Sequence, residues 1–445
     1  MFAPANAADA ASRASGHEIT PTGLTNFRQG MAAARFSLPN GLTILLVPDF
    51  SAPVFAYQSW VKVGSKHEAP NQTGMAHLFE HLMFKGTPTH PTGEFDRAME
   101  QRGAQTNAAT WVDWTYYTEA LAARDDHFAT VVAFEADRLA NLIVDQATFA
   151  SELEVVKNER RMSVDDAVAG FLGEQLYRLA FAQHPYRWPT IGSMAHLEAA
   201  TVDDLRAFYQ RYYAASNTVV VVAGAVEPDV ALATIAQAYG PLPSLRIEQR
   251  ARPVEPRQEE ERFATFVQPV LAPQMAIGYH APEQTHRDFP AAQILAEVLL
   301  SGDTGRLYQR LVTDEQMAVE VGGRVAPFAE PGLFDIWLHL QPGVKPQEAL
   351  AVIDDEVTSL LAHGPEANEL DKARHGLELE VWEEFRDVES FAETLGHYEA
   401  ICGDFSQAFQ ATAAHANVTS NDVVRVGTEM LRASNRTTVV AQERA

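Results

Sequence analysis

The sequence predicts an α+β fold in two related domains, and three observations lead to this prediction. The chain has 445 residues, which suits two domains of roughly 200 residues each better than a single ordinary core. Its first half contains both β-branched runs and segments with helical periodicity. Motifs of the first half also recur in the second half at a nearly constant offset, which indicates a duplicated unit.

The secondary-structure signals of the first half are local and clear. Residues 35–47 hold two extended runs around the Asn40-Gly41 turn signal, and residues 54–64 are a second strand candidate. Residues 218–223, Thr-Val-Val-Val-Val-Ala, form a continuous β-branched run that is typical of a buried strand. Helical periodicity predicts helices over four segments, namely 74–84, 93–102, 125–142 and 146–161.

The duplication is clearest near the end of each half. The segment that begins at Thr201 matches the one that begins at Thr419, so that Asp204 falls on Asp422. Both segments continue to a Ser-Asn pair and a run rich in valine. We therefore expect two copies of one α+β unit.

The domain boundaries follow from the repeat and from a proline-rich segment between the copies. We expect a flexible N-terminal arm at 1–30, a first domain at 31–240 and the duplicated domain at 263–445. Residues 241–262 are the expected linker, since they combine several prolines with dense charge.

Composition limits the partners and the compartment. The net charge of −25 argues against a nucleic-acid partner, because phosphate backbones are bound by clustered Lys and Arg. No stretch approaches the roughly 18 apolar residues needed to cross a bilayer, so no membrane span is expected. The single cysteine, Cys402, fits the cytoplasm and the periplasm alike. The Ala-rich N-terminal residues resemble the end of a signal peptide, so we expect a periplasmic protein, with the cytoplasm as the alternative.

The main chemical motif is a pair of histidines in the first predicted long helix. His77 and His81 lie four residues apart, so they share one helix face and can bind one metal ion. Glu80 lies on nearly the same face. It can take the proton from a water that attacks a scissile carbonyl and later deliver it to the leaving amine. In the second copy, Ile294 and Val298 stand where the histidines would be, so metal chemistry is expected in the first domain alone.

Such a site needs a third protein ligand and one open position. Glu152 and Glu159 lie two turns apart on a later predicted helix and therefore on one face. We assign Glu159 as the third ligand and Glu152 as a carboxylate that supports the ligands. Two histidines and one carboxylate favour one zinc ion per chain, and manganese and cobalt stay open.

A family resemblance rests on the same residues. Residues 63–87, which contain His77-Leu-Phe-Glu-His81, strongly resemble the pitrilysin and mitochondrial processing peptidase family of inverzincins, whose signature is the inverted HxxEH motif. The spacing of Glu152 and Glu159 is that of the family, and so is the segment 103–117. The similarity covers essentially the whole chain, including the duplication.

The resemblance implies two related α/β-roll domains, each with a mostly antiparallel sheet packed with helices. It also implies zinc on His77, His81 and Glu159. Glu80 would be the general base, and Glu152 would assist it.

Substrate binding is implied at a sheet edge near the metal, where peptides of this family pair as an added strand. Asn107 and Ala108 lie on the matching segment and are the candidates for backbone contact. A polar residue at a strand end is an equally good interpretation of Asn107. The aromatic residues of 111–117 fit either a wall for substrate side chains or ordinary sheet packing.

The chain departs from the family in its second domain. Active members carry an Arg and, seven residues later, a Tyr, in a helix resembling residues 311–319, where the two side chains bind substrate. Here those positions are Val312 and Val319, and Arg310 is displaced by about 200° around a helix. We therefore expect a heterodimer in which this chain supplies the zinc site. A homologous subunit without the zinc motif would supply the Arg-Tyr pair.

Three function classes follow from these observations. The leading one is a zinc endopeptidase that hydrolyses peptides or unfolded segments inside a chamber. A non-catalytic assembly protein of the same fold is the second, and the intact metal motif argues against it. The third is metal-dependent peptide binding without turnover, which Glu80→Gln would separate from catalysis.

Overall fold

The structure is a computed structural model that describes residues 2–28, 31–124, 126–247 and 252–443. Parts of the predicted arm (1–30) and linker (241–262), and residue 125 at the start of a predicted helix, lie outside the described residues.

The chain folds into two compact units. Unit 1 comprises Met1–Lys157, Thr190–Ala251 and Glu384–Phe409, and unit 2 comprises Asn158–Pro189, Arg252–Glu383 and Gln410–Ala445. This division differs from the linear boundary predicted at 241–262, because each unit takes one helical segment from the opposite half of the chain.

Each unit has one sheet. In unit 1 the strands are β1 (Thr20–Arg28), β2 (Met31–Ser37), β3 (Thr43–Pro48), β4 (Val54–Val61), β5 (Gln105–Thr110), β6 (Thr115–Ala122) and β7 (Thr218–Gly224). In unit 2 they are β8 (Arg262–Val267), β9 (Gln274–Ala281), β10 (Ala318–Val325), β11 (Gly332–Leu340) and β12 (Arg436–Gln442).

The strand orders are β1-β2-β3-β7-β4-β6-β5 and β10-β11-β9-β12-β8. Within the described residues, only β3 with β7 and β8 with β12 pair in parallel. The mostly antiparallel sheets packed with helices that the family resemblance implies are therefore confirmed.

The helices follow in chain order. They are α1 (Pro4–Ser15), α2 (Met75–Leu82), α3 (Glu94–Gln101), α4 (His127–Asn141), α5 (Gln146–Arg160), α6 (Val168–Ala180), α7 (Met194–Ala199), α8 (Val202–Tyr212), α9 (Pro228–Tyr239), α10 (Phe289–Leu300), α11 (Arg306–Tyr308), α12 (Pro346–His363), α13 (Ala367–Glu384), α14 (Val388–Cys402), α15 (Ala411–Ala416) and α16 (Ser420–Met430). The predicted helices near 74–84, 93–102, 125–142 and 146–161 are thus present as α2 to α5. Among the described residues, no helix is long and apolar enough to cross a membrane.

Both faces of the unit 1 sheet are covered, which explains the valine run of β7. Val220 and Val222 face the core that contains Leu78 and Phe79 of α2. Their neighbours along the strand face a second core on the opposite side of the sheet, which includes Leu395 of α14. Since alternate residues of a strand point to opposite faces, a strand covered on both sides needs apolar residues at every position.

The segment expected to be a flexible arm is folded where the structure describes it. Residues Pro4–Ser15 form α1, in which Ala8 and Ala11 are buried. The following residues form β1, which pairs antiparallel with β2. The small side chains that resembled a signal-peptide remnant therefore have a packing role in unit 1.

The duplication is visible in matching local structures. Thr201 and Asp204 form a capping box at the start of α8, and Thr419 and Asp422 form the same box at the start of α16. The order β3-β7-β4-β6-β5 of unit 1 is repeated as β8-β12-β9-β11-β10 in unit 2. Unit 1 adds β1 and β2 to this common plan.

Candidate metal centre

Helix α2 presents the three motif residues on one side. Its buried face consists of Met75, Ala76, Leu78, Phe79 and Leu82, and it packs against β5, β6 and α8. His77, Glu80 and His81 lie on the other face and are half-buried. The helical period thus separates the apolar side chains from those that can carry chemistry.

Three potential ligands come together in space. One ligand atom from each of His77, His81 and Glu159 can be chosen so that all three lie within 4.8 Å of one another. The two imidazole rings are 4.9 Å apart between centroids. Glu159 lies near the end of α5, two turns beyond Glu152 on the same helix. The histidines and the glutamate that the sequence singled out therefore converge.

The chemistry of this set suits zinc. Zn²⁺ takes imidazole nitrogen and carboxylate oxygen at about 2.0–2.2 Å, so tetrahedral ligand atoms lie roughly 3.3–3.6 Å apart. Modest side-chain rotation would close the observed separation of up to 4.8 Å to that range. Two neutral nitrogens and one carboxylate also leave a coordination position open, as catalytic zinc sites require.

Glu152 lies against one of the histidines. Its carboxylate is 3.7 Å from Nδ1 of His81 and 2.9 Å from Nζ of Lys85. The first distance is too long for a hydrogen bond. It shows, however, that the Nδ1 side of the His81 ring faces the carboxylate of Glu152. Nε2 is then the nitrogen of His81 that remains available as a metal ligand. The supporting role of Glu152 stays a prediction, with Lys85 as an additional partner.

The predicted peptide-binding segment forms an edge strand. Asn107 and Ala108 lie on β5, opposite Thr118 and Tyr117 of β6. In the part of the chain that the structure describes, β6 is the only strand that pairs with β5. Asn107 is exposed and Ala108 is half-buried. The geometry is compatible with strand addition next to α2, and substrate contact at these residues stays a prediction.

The aromatic residues beside this strand mostly pack the sheet. Tyr116 is 7% exposed and stacks on Trp60 with ring centroids 4.4 Å apart. Tyr117 is buried, and its hydroxyl lies 2.9 Å from that of Tyr213. Burial raises the pKa of Tyr117 well above its ordinary value, with the neighbouring Tyr213 as a further cause. These tyrosines belong to the interior and not to a substrate wall.

Sequence reasoning missed the groups that hold the start of α2. Glu68 accepts hydrogen bonds from the backbone N–H groups of Gly74 at 3.0 Å and Ala76 at 2.8 Å. The hydroxyl of Thr73 accepts from the backbone N–H of Ser193 at 3.0 Å and lies 2.8 Å from Nδ1 of His196. Glu68 lies six residues before Gly74, whereas a standard capping residue lies directly at the start of the helix. The sequence therefore offered no signal for this role.

The helix expected around the two valines of the second half is interrupted. Residues Gln309–Asp314 form a short π-helical segment, and Ala318 already begins β10. Val312 is half-buried in the unit 2 core, whereas Val319 is 58% exposed on a strand. Val312 and Val319 therefore do not lie on one helix, contrary to the expectation from the sequence. Arg310 pairs with Glu315 at 3.3 Å.

Two family models match consecutive parts of the chain. The one described as "Insulinase (Peptidase family M16)" matches residues 44–193, and the one described as "Peptidase M16 inactive domain" matches residues 199–377. The first range contains His77, His81 and Glu159. The second contains neither histidine of the HxxEH motif, in agreement with the loss of both histidines in the second copy.

Several relatives span almost the same length. The zinc protease PqqE of Helicobacter pylori is 27% identical over 416 residues, which cover 91% of each chain. An uncharacterized zinc protease of Streptomyces coelicolor is 24% identical over 404 residues, or 89% of this chain and 87% of the other.

Solved structures extend the likeness to the whole fold. A protease from Helicobacter pylori matches with a TM-score of 0.86 at 25% identity, covering 92% of this chain and 99% of that one. The first half of the periplasmic protease PqqL from Escherichia coli matches with a TM-score of 0.76 at 19% identity, covering 95% and 94%. In the structure of PqqL itself, the match covers 48% of that chain, with a TM-score of 0.74.

Proposed function

This chain belongs to peptidase family M16, and from that membership we propose that it is a zinc-dependent endopeptidase. The observation that carries the proposal is the convergence of His77, His81 and Glu159, with Glu80 on the same helix as the histidines. Relatives named zinc proteases support the choice of metal. The substrates would be peptides or unfolded segments.

The residues of the site divide the work of peptide hydrolysis. His77, His81 and Glu159 would hold zinc, which when bound polarises a carbonyl and makes water more acidic. Glu80 accepts the proton of the attacking water and returns it to the leaving amine. Glu152 supports His81 through its Nδ1 side. The free edge of β5, at Asn107 and Ala108, aligns the peptide through main-chain hydrogen bonds.

We further propose that a second, homologous subunit completes the active site. Val312 and Val319 cannot donate hydrogen bonds from their side chains, so the Arg-Tyr pair of the family would come from that subunit. The match to about half of the PqqL chain supports this, because a protein of twice the length would carry both halves in one chain. The two subunits would enclose the substrate in a chamber.

We propose that the protein is periplasmic, as PqqL of Escherichia coli is, and the cytoplasm is the alternative.

Replacing the base tests the mechanism. In Glu80→Gln we expect zinc and peptide binding to persist while hydrolysis falls by about 10²–10⁴-fold, since a general acid–base group contributes that much. Zinc content, peptide anisotropy and cleavage of a quenched peptide would be measured in parallel. Glu94→Gln, at a half-buried carboxylate on α3 that lies 3.5 Å from Nδ1 of His90, is the control and should keep full activity. Hydrolysis by Glu80→Gln at the wild-type rate would show that Glu80 is not the base.

Cleavage of the quenched peptide also tests whether a homologous partner subunit is needed. Activity that appears only when a homologous subunit is co-purified would support a split active site. Full activity of the zinc-loaded chain alone would refute it.

Metal-dependent peptide binding without turnover is the second candidate, and the valines at 312 and 319 favour it. Zinc-dependent peptide binding by the wild type, with no hydrolysis whether or not a homologous subunit is present, would decide for this candidate.

A further inference from the structure

The start of α2 depends on a carboxylate that lies outside the helix. Glu68 follows the short 3₁₀ turn Ser65–His67 and is only 6% exposed. One carboxylate oxygen accepts from Gly74 N–H at 3.0 Å, and the other accepts from Ala76 N–H at 2.8 Å. One side chain therefore accepts from two backbone donors at the start of α2.

This arrangement replaces the usual helix cap. The first N–H groups of a helix have no partner inside the helix, and a Ser, Thr, Asp or Asn at the N-cap normally accepts from one of them. Gly74 is the N-cap here and has no side chain, while its φ of +93° suits glycine. With only eight residues, α2 is too short to be stable by itself, so its direction depends on such anchors.

The charge of Glu68 also bears on the metal site. Burial raises the pKa of its carboxyl group well above the ordinary value, although the backbone N–H groups at the start of α2 act in the opposite direction. When ionised, Glu68 places a negative charge at the positive end of the helix dipole, one turn before His77. That charge attracts a cation toward the imidazoles of α2.

The duplicated unit supplies an internal comparison. The position that corresponds to Glu68 is Thr285, and α10 begins at Phe289 with no side-chain hydrogen bond from its N-cap residue, Asp288. In that unit the histidine positions are occupied by Ile294 and Val298, which are buried. Within the described residues, a carboxylate from outside the helix thus anchors α2, which carries the proposed metal ligands. The corresponding helix α10 has no such anchor among these residues.

We infer that Glu68 is a positioning residue for the metal centre. Its two oxygens hold the first turn of α2 and thereby set the direction in which His77 and His81 present their nitrogens. In its ionised form, the same carboxylate also strengthens cation binding at this place. The inference rests on the proposed zinc site, but zinc binding tests it without any need for peptidase activity.

Glu68→Gln is the informative variant, because glutamine has the same shape but no charge and only one good acceptor. We expect the zinc dissociation constant to rise by about 10- to 100-fold, the usual effect of removing a group that orients metal ligands. The rise in melting temperature on adding zinc should shrink accordingly. With cobalt in place of zinc, the visible absorption spectrum should change, since it reports ligand geometry.

Glu399→Gln provides a matched control in the same unit. Glu399 is a fully buried carboxylate that pairs with Arg35 at 2.8 Å and accepts from Phe405 N–H at 3.3 Å. It lies on α14, which packs in the core on the face of the sheet opposite to the core that contains α2. The Glu399→Gln variant should lower the melting temperature of the metal-free protein about as much as Glu68→Gln does. It should leave the zinc affinity and the cobalt spectrum unchanged. If Glu68→Gln does not fold, Glu68→Asp keeps the charge on a shorter arm and should weaken zinc binding less than tenfold.

The outcomes are distinguishable. Wild-type zinc affinity and an unchanged cobalt spectrum in Glu68→Gln would overturn the inference while leaving the proposed function intact. Equal losses of affinity in Glu68→Gln and Glu399→Gln would also overturn it, because they would reflect general destabilisation. A wild-type chain that binds no zinc would refute the proposed function and the inference together.

Discussion

The interior of unit 1 contains a charged cluster whose removal gives a sharp test of the fold. Arg138 on α4 is 3% exposed, and its guanidinium donates to Glu119 at 3.1 Å and contacts Glu135. Both carboxylates are 1% exposed. The guanidinium also lies over the ring of Tyr117, 4.8 Å from its centroid. One cation thus balances two buried acids beneath the strand that pairs with β5.

Arg138→Met should be strongly destabilising, because it preserves most of the apolar stem and removes the only cation of this cluster. Breaking a buried ion pair from one side costs about 3–5 kcal/mol. In a domain of this size, 1 kcal/mol shifts the melting temperature by roughly 2–4 °C, so we expect a decrease of about 6–20 °C.

The loss should depend on pH. Burial raises the pKa of Glu119, the nearby Glu135 raises it further, and Arg138 opposes both. The folded pKa of Glu119 therefore lies above the unfolded value of about 4.3. The stability that protonated Glu119 contributes is fully present below the unfolded pKa. It is lost as the pH rises through the folded pKa. Without Arg138 the folded pKa rises further, so the variant should be closest to wild type near pH 5 and worst near pH 8.

Calorimetry at both pH values would measure the effect. Arg102→Met is the control, because Arg102 and Asp126 form a 2.8 Å pair whose side chains are 23% and 70% exposed, and a solvent-exposed ion pair contributes little to stability. A decrease for Arg138→Met no larger than that of the control, or one equal at the two pH values, would refute the reasoning.

Two glycines give further tests, and a third glycine serves as a control. Gly74→Ala would place a Cβ 2.7 Å from the carbonyl oxygen of Ile191 at a φ of +93°, so the affinity for zinc should fall. Gly93→Ala is the control, because Gly93 has a similar φ of +82° but open space around it. It should cost only about 1–2 kcal/mol of stability and leave the zinc affinity unchanged. Chelator competition measures the affinity, and equal zinc affinities would show that the close approach at Gly74 does not matter. Gly396→Ala would bring a Cβ within 2.1 Å of Nε1 of Trp60 and should destabilise unit 1 by about 1–3 kcal/mol, as overpacking does. A melting temperature and tryptophan emission like those of the wild type would mean that α14 can shift without cost.

Local patterns predicted much of the fold because they depend on neighbouring residues. The Asn40-Gly41 turn, the valine run of β7 and the periodicity of α2 to α5 each reflect interactions within one element or one hairpin. The duplication was also readable, since Asp204 and Asp422 keep the same capping box.

Other features have no local signal. The segment that became α1 and β1 is rich in Ala and polar residues, and its order comes from α9 and β2. An amphipathic pattern likewise states that a helix has a buried face, but not which sheet covers it. The placement of α6 in unit 2 and α14 in unit 1 was therefore invisible in the sequence.

For the candidate site, the sequence by itself determined the residue types and their helical spacing. His77, Glu80 and His81 share a face because of the helical period, and the second copy lost both histidines. Only the tertiary structure brought Glu159 within reach of the histidines and placed Glu68 under the start of α2. The physical reason is that spacing within a helix follows from one period, whereas distances between elements depend on how the whole core packs.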